Sequence, residues 1–484
     1  MTSFLIALAV LIGGYVVYGA LCERIFGVDP KRPMPAETRR DGVDFMPLPT
    51  WKVFLIQFLN IAGLGPIFGA IMGVMFGPAA FIWIVCGTIF AGAVHDFMSA
   101  MMSIRSGGES LPELVGHELG MTARQVMRVV SVVLLILVGA VFVLTPAGLI
   151  ASMTPESLDS LFWVGVIFVY YILATLLPID KLIGNFYPVF GIALLFMAAG
   201  LLAVLIFGGY DIPVDFSGGL SSRIGDGHHP VFPMMFVSIA CGAISGFHAT
   251  QSPMMARCLT NERLARPIFY GAMVAEGIVA LIWAAAAIAF TGGYEELSGY
   301  MSAHGNAAGA LVTDISRGWL GTVGGFLALL GVIAAPITTG DTALRSARLI
   351  TADFLHIDQR KLTRRLMVSV PIFALCAGVM LIDFNILWRY FAWVNQTLSV
   401  FTLWAVTVYL ARHRKFYLVS LLPALFMTVV CVSYILFAPS PEGFGLPLGV
   451  ALTAGAAVAL LTVGMFARYL RLLRGGRIEL SQSY

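Results

Sequence analysis

Apolar residues in this chain come in long runs, and most runs have the length of a bilayer crossing. Thirteen stand out: 2–21, 51–75, 80–104, 128–150, 161–179, 185–207, 232–255, 267–291, 319–343, 367–384, 390–410, 417–437 and 447–467. About 20 apolar residues in helical form cross the hydrocarbon of a membrane, so each run is read as a spanning helix. No basic segment precedes the first run, so it reads as a retained helix and not a secretion signal. Between the runs, 23–50 is proline-rich and charged and reads as a linker. The stretch 344–366 keeps helical spacing, with Arg345 and Arg348 on one side and Leu349, Ile350 and Phe354 on another. That pattern predicts an amphipathic interfacial helix continuing the span 319–343.

Composition strengthens this reading. Of 484 residues, 59% are hydrophobic and only 11% charged, with a mean hydropathy of +0.90. Soluble proteins carry about 25% charged residues, which excludes a soluble enzyme and a disordered chain. The six cysteines show no paired spacing and fall mostly inside apolar runs, so neither a disulfide framework nor a metal site is expected. The net charge of +3 is small, but its placement is informative. With the N-terminus outside and the C-terminus in the cytoplasm, 26 of the 29 Lys and Arg residues fall in cytoplasmic segments, and only Arg223, Arg317 and Arg389 fall outside. The fold class expected is an all-α polytopic membrane protein of about thirteen helices.

Two helices are interrupted. The second span reads Asn60-Ile-Ala-Gly63-Leu-Gly65-Pro66, and the seventh reads Cys241-Gly-Ala-Ile-Ser245-Gly246-Phe247-His248, with Pro253 following. Glycine and proline weaken the helix ladder, and unwound backbone at membrane depth survives only inside protein or beside a water-filled cavity. Glycine-mediated helix packing is the alternative for each break alone. As a pair, 183 residues apart from Gly63 to Gly246 and each opening a set of five spans, they point to a two-repeat transporter core. Five is odd, so the second repeat is inverted. The organisation expected is an N-terminal helix and linker (1–50), repeat one (51–207), an extracytoplasmic linker (208–231), repeat two (232–410), and two trailing helices with a basic tail (411–484).

Ionisable groups at membrane depth are costly and usually functional. His95 and Asp96 lie in the third span, His248 at the second break, Glu276 in the span 267–291, and Asp341 after Thr338 and Thr339 in the span 319–343, while the polar Asn395 and Gln396 lie in the span 390–410. Each has a structural alternative: His95 and Asp96 as a packing pair, Asp341 as an ion pair with Arg345 one turn on, and the threonines as back-bonders to their own helix. As functional groups, His95, Asp96, His248, Glu276 and Asp341 suit ion coupling, and Thr338 and Thr339 suit hard-oxygen ligation of sodium.

The stretch from Asn60 through GPIFGA, the sequence AGAVHDF (91–97), CGAISGFH (241–248), ITTGDTALRSARLITADF (337–354) and WRYFAWVNQTL (388–398) closely resemble the carbon starvation protein A (CstA) family. The resemblance implies a bacterial cytoplasmic-membrane carrier of peptides or, in some branches, pyruvate. It also implies the inverted five-plus-five fold of the amino acid–polyamine–cation superfamily. Carried onto this chain, substrate would bind at Asn60, Gly63 and Gly65 and at Ser245, Gly246, Phe247 and His248, and an inner sodium site would use Thr338 and Thr339. After SGFH the chain reads ATQSPMMAR, where longer branches are expected to carry small Ser, Thr and Gly residues.

The function expected is therefore proton-coupled uptake of short peptides or pyruvate for nutrient scavenging. The alternatives are a sodium-coupled carrier of another small carboxylate or amino acid, and a sensor that binds without transporting. There is no nucleotide-binding loop, zinc motif or nucleophile elbow, so neither a primary pump nor an enzyme is expected. No organic cofactor is expected, only H+ or Na+. The partners expected are a small-molecule substrate and the lipid bilayer, with no nucleic acid.

Overall fold

A computed structural model describes the whole chain except residues 43, 177–178, 213, 215, 217–218, 225–228, 306–307, 360 and 476–484. Parts of the expected linker 208–231 and of the basic tail therefore lie outside the described residues. Every element among the described residues is helical. Apart from short helical turns, these are in sequence order α1 (Thr2–Phe26), α2 (Thr50–Ile61), α3 (Gly65–Val74), α4 (Ala79–Arg105), α5 (Leu111–Leu119), α6 (Met121–Ala151), α7 (Ser160–Leu176) and α8 (Ile179–Phe207). There follow α9 (Gly246–Ala256), α10 (Gly271–Thr291), α11 (Tyr294–Ala303), α12 (Ala308–Leu355), α13 (Leu362–Val379), α14 (Phe384–Arg412), α15 (Leu418–Phe437) and α16 (Leu448–Arg474).

Nine helices among the described residues are long and apolar enough to cross a membrane, and α2 with α3, bent by 52°, makes a tenth. The other three expected spans look different. The apolar part of α7 is short, Ser160–Ala174. The span 232–255 is divided by its break. The span 319–343 is swallowed by α12, whose 48 residues are interrupted at Gly321 (φ 66°). With their backbone groups paired internally, such helices are the form in which a chain crosses lipid, and the chain is a multi-pass membrane protein.

Burial sorts the helices into an inner and an outer set. The most apolar windows of α4, of Glu262–Thr291 and of Ile386–Arg412 are 83%, 78% and 72% buried, whereas those of α1 and α16 are only 17% and 22% buried. The outer helices show leucine and methionine outward, as Leu460 and Met465 do, and that surface suits lipid. The inner helices are lined by small residues; Ala284, Ala285, Ala286 and Ala287 in α10 are all fully buried. Small residues let backbones approach closely where lipid offers no hydrophobic drive to associate.

One expectation is reversed. The stretch after 343 is no interfacial amphipathic helix through 344–366: α12 runs on to Leu355, with Arg345 and Arg348 fully buried and Phe354 exposed. Arg345 donates to the Ala174 carbonyl at 2.7 Å and lies 3.8 Å from Asp44, while Arg348 donates to Gln359 at 2.9 Å. The linker folds back to cover this end of the bundle, with Asp44 buried and the Leu48 amide donating to the Cys258 carbonyl at 3.1 Å. A buried guanidinium needs such partners, and spacing alone does not reveal which face will find them.

Candidate substrate and proton site

The two breaks meet at the centre of the bundle. At the first, α2 ends at Ile61 and the chain turns at Ala62 (ψ 41°) before α3 begins with a π-helical turn, Gly65–Gly69. At the second, helix ends at Ser238 and resumes at Gly246, with Ser245 extended. A side chain on Gly65 would lie 2.1 Å from the Cys241 Cβ, and one on Gly242 would lie 3.6 Å from the Pro66 Cα. The first approach leaves room for no side chain at Gly65, while the second is ordinary van der Waals contact.

Each break is held by a distant helix. At the first, the Thr339 hydroxyl of α12 lies 3.1 Å from the Asn60 carbonyl, 3.3 Å from that of Leu59 and 2.8 Å from its own-helix Ala335 carbonyl. Carbonyls that the helix end leaves orphaned are thus met from across the bundle. At the second, the Asn395 side-chain oxygen of α14 accepts from the Ser245 hydroxyl at 3.0 Å and from the Phe247 amide at 2.7 Å. This caps α9 from another helix. A side chain on Gly246 would collide with the Asn395 backbone and Leu398. Thr88, in a π-helical turn of α4 (Thr88–Gly92), donates to the Gly242 carbonyl at 3.1 Å. Such turns recur at functional sites.

Beside the second break lies a fully buried row of four protonatable groups. His95 Nδ1 is 2.8 Å from Asp96 Oδ1, His248 Nδ1 is 3.0 Å from Asp96 Oδ2, and His248 Nε2 is 3.5 Å from Glu276 Oε2. As a carboxylate, Asp96 can only accept and would take an Nδ1–H from each histidine. In its neutral form His248 then presents a lone pair at Nε2 towards the Glu276 carboxyl. At 3.5 Å the two groups face each other without a hydrogen bond between them, so the row ends in a buried histidine nitrogen and a buried carboxyl side by side.

Other expected site residues lie elsewhere. Thr338 turns back to its own helix, within 3.0 Å of the Ala334 carbonyl and 2.8 Å of that of Ala335. Asp341 accepts the Tyr187 hydroxyl. Asn60 is fully buried, and neither its side-chain oxygen nor its nitrogen has a hydrogen-bond partner among the described residues. A buried carboxamide left so is rare. Sequence reasoning singled out the polarity of Asn395 but not its role as a cap, and it missed Tyr187 and Thr88 altogether. A lone polar residue in an apolar run was the signal for Asn395 and Thr88; a tyrosine in a membrane helix carries none.

The comparisons with known proteins, taken with the fold, support a membrane transporter. The chain belongs to the carbon starvation protein CstA family, whose match covers residues 1–164 and 151–322. That stretch contains both breaks, His95, Asp96, His248 and Glu276, while Thr339 and Asn395 lie beyond it. An uncharacterised membrane protein of Haemophilus influenzae is 42% identical over 339 residues, covering 60% of this chain and 91% of the relative. The pyruvate/proton symporter BtsT of Escherichia coli is 27% identical over 54% of this chain and 45% of its own length. The peptide transporter CstA of E. coli is 28% identical over 55% of this chain and 47% of its own. The alignments thus span about half the length of these two carriers. Among solved structures, a manganese transporter of Eremococcus coleocola, in a histidine-to-alanine variant, superposes with a TM-score of 0.54 at 12% identity, covering 88% of this chain and 94% of that one. At that identity the likeness is one of fold alone.

Proposed function

We propose that the chain is a secondary active transporter that imports short peptides or pyruvate, or both, driven by protons. The observation that carries this reading is the fully buried row His95–Asp96–His248–Glu276 beside the second break, a set of protonatable groups kept away from water. Substrate would lie where the breaks cross, with its carboxylate facing the amides that open α9, where a helix N-terminus favours an anion. The unpartnered Asn60 carboxamide supplies a further polar contact. Peptide and pyruvate are the cargoes named for the E. coli relatives.

In this reading residues 51–207 and 232–410 form the two inverted repeats, one helix precedes them and two follow. The N-terminus is outside, the C-terminus is inside, and the membrane is the bacterial cytoplasmic membrane. Rocking of one repeat group against the other would expose the crossing point to each side in turn, in the service of nutrient scavenging under carbon starvation. A sodium-coupled variant is favoured by one observation, the three carbonyl oxygens gathered around the Thr339 hydroxyl, because hard oxygens are what sodium needs.

The test is uptake by the purified full chain in liposomes. Labelled pyruvate and a labelled dipeptide are offered separately, first under a proton gradient and then under a sodium gradient. Accumulation that collapses with the proton gradient is the expected result. Collapse with the sodium gradient alone moves the coupling to Thr339, and absence of accumulation under both removes the transport reading.

A further inference from the structure

We propose that the cavity at the end of the bundle remote from the basic loops is a capture site for zwitterionic short peptides; this rests on the transporter reading and names its substrate class. The cavity has a volume of about 600 Å³, within the usual range for small-molecule sites. Its floor is aromatic and leads straight to the first break. Phe68 of α3 and Trp388 of α14 have ring centres 6.2 Å apart, Trp388 lies 5.5 Å from Phe391, and Phe391 lies 5.9 Å from Phe142. A side chain on Gly63 would lie 3.0 Å from the Phe142 ring. Whatever rests on this floor is thus one layer of rings above the crossing of the breaks.

The wall carries two opposite charges that do not pair with each other. Asp314 and Arg317 stand three residues apart near the start of α12, and both line the cavity. At that spacing side chains are neighbours on one helix face. Nevertheless Asp314 accepts the Tyr300 hydroxyl at 2.5 Å, and Arg317 makes no ion pair among the described residues. Of the arginines at this end, Arg389 is already paired with Glu442. An open carboxylate and an open guanidinium, whose Cβ atoms at this spacing are about 5–6 Å apart and which do not reach each other, suit the ammonium and carboxylate ends of a dipeptide, which spans about 7 Å extended. Arg317 would take the carboxylate, and Asp314, positioned by Tyr300, the ammonium. Pyruvate has only the negative end, so it gains from Arg317 alone.

The test measures equilibrium binding of labelled dialanine and of labelled pyruvate to the purified full chain, for wild type, Asp314→Asn and Arg317→Gln, alongside liposome uptake. N-acetyl-dialanine, which has lost its ammonium, is the control ligand. Asp314→Asn should weaken dialanine about fivefold, as expected for partly exposed charge pairs, while leaving pyruvate and N-acetyl-dialanine unchanged. Arg317→Gln should weaken all three. Equal effects of Asp314→Asn on dialanine and pyruvate, no effect on dialanine, or no dialanine binding by wild type each overturn the proposal. Dialanine binding with these sensitivities but without uptake would keep the capture site and remove the transport reading; pyruvate uptake without dialanine binding would do the reverse.

Discussion

The two helix breaks cross within van der Waals reach of each other, yet they are furnished differently. The first is a matter of backbone oxygens: glycines open it, Thr339 meets its released carbonyls, and no ionisable side chain touches it in the contacts above. The second is a matter of protons: Asn395 clamps its geometry, and His248 in the first turn beyond it joins Asp96 and Glu276. The contrast separates two tasks that a coupled carrier has to perform. In the proposed mechanism one break shapes a cavity by sterics and dipoles alone, while the other would change its charge when a proton moves.

The largest effect should come from breaking the buried row beside the second break. Glu276→Gln or His248→Ala is expected to abolish concentrative uptake in liposomes while the protein still purifies as a folded monodisperse species; undiminished accumulation by both would erase the difference between the breaks. A pH effect remote from both breaks has to be set apart from this one. Burial lifts the Glu118 carboxyl to about 7, against the opposing pull of Arg412 at 3.8 Å and of His117. Stability from this group is present below its unfolded value near 4.5 and is lost as pH rises through about 7. Thermal unfolding should therefore show stability falling by up to about 3 kcal/mol across that window, and Glu118→Gln should flatten the slope without altering proton-driven uptake.

Next comes the steric crossing. Gly65→Ala places a methyl group against Cys241 and should cost about 1–3 kcal/mol by overpacking, read as a lowered unfolding temperature together with reduced uptake. Asn395→Ala acts only at the second break. It leaves the Phe247 amide without its acceptor, a loss of about 1–3 kcal/mol, and should impair uptake more than stability if the clamp sets the angle of His248. The smallest effect is Thr339→Val, which removes one hydroxyl at the first break at about 1 kcal/mol. Unchanged proton-driven uptake in that variant would keep the breaks distinct; loss of all coupling would merge them.

Much of this was legible in the sequence because membranes impose simple rules. Apolar run length gives the helices, and glycine with proline inside such runs gives both breaks. Ionisable residues at membrane depth gave Asp96, His248 and Glu276, since none is placed there without cause. What could not be read was partnership. His248 and Asp96 are 152 positions apart, Asn395 and Ser245 are 150 apart, and Thr339 and Asn60 are 279 apart.

The sequence by itself determined that the chain is a many-helix membrane protein with two weakened helices and a few costly charges, because each of these follows from local composition and helix period. Which ionisable groups meet, which helix clamps which break, and that Arg345 and Arg348 turn inward were settled only by folding. A hydrogen bond acts over about 3 Å, and only folding sets which distant residues come that close.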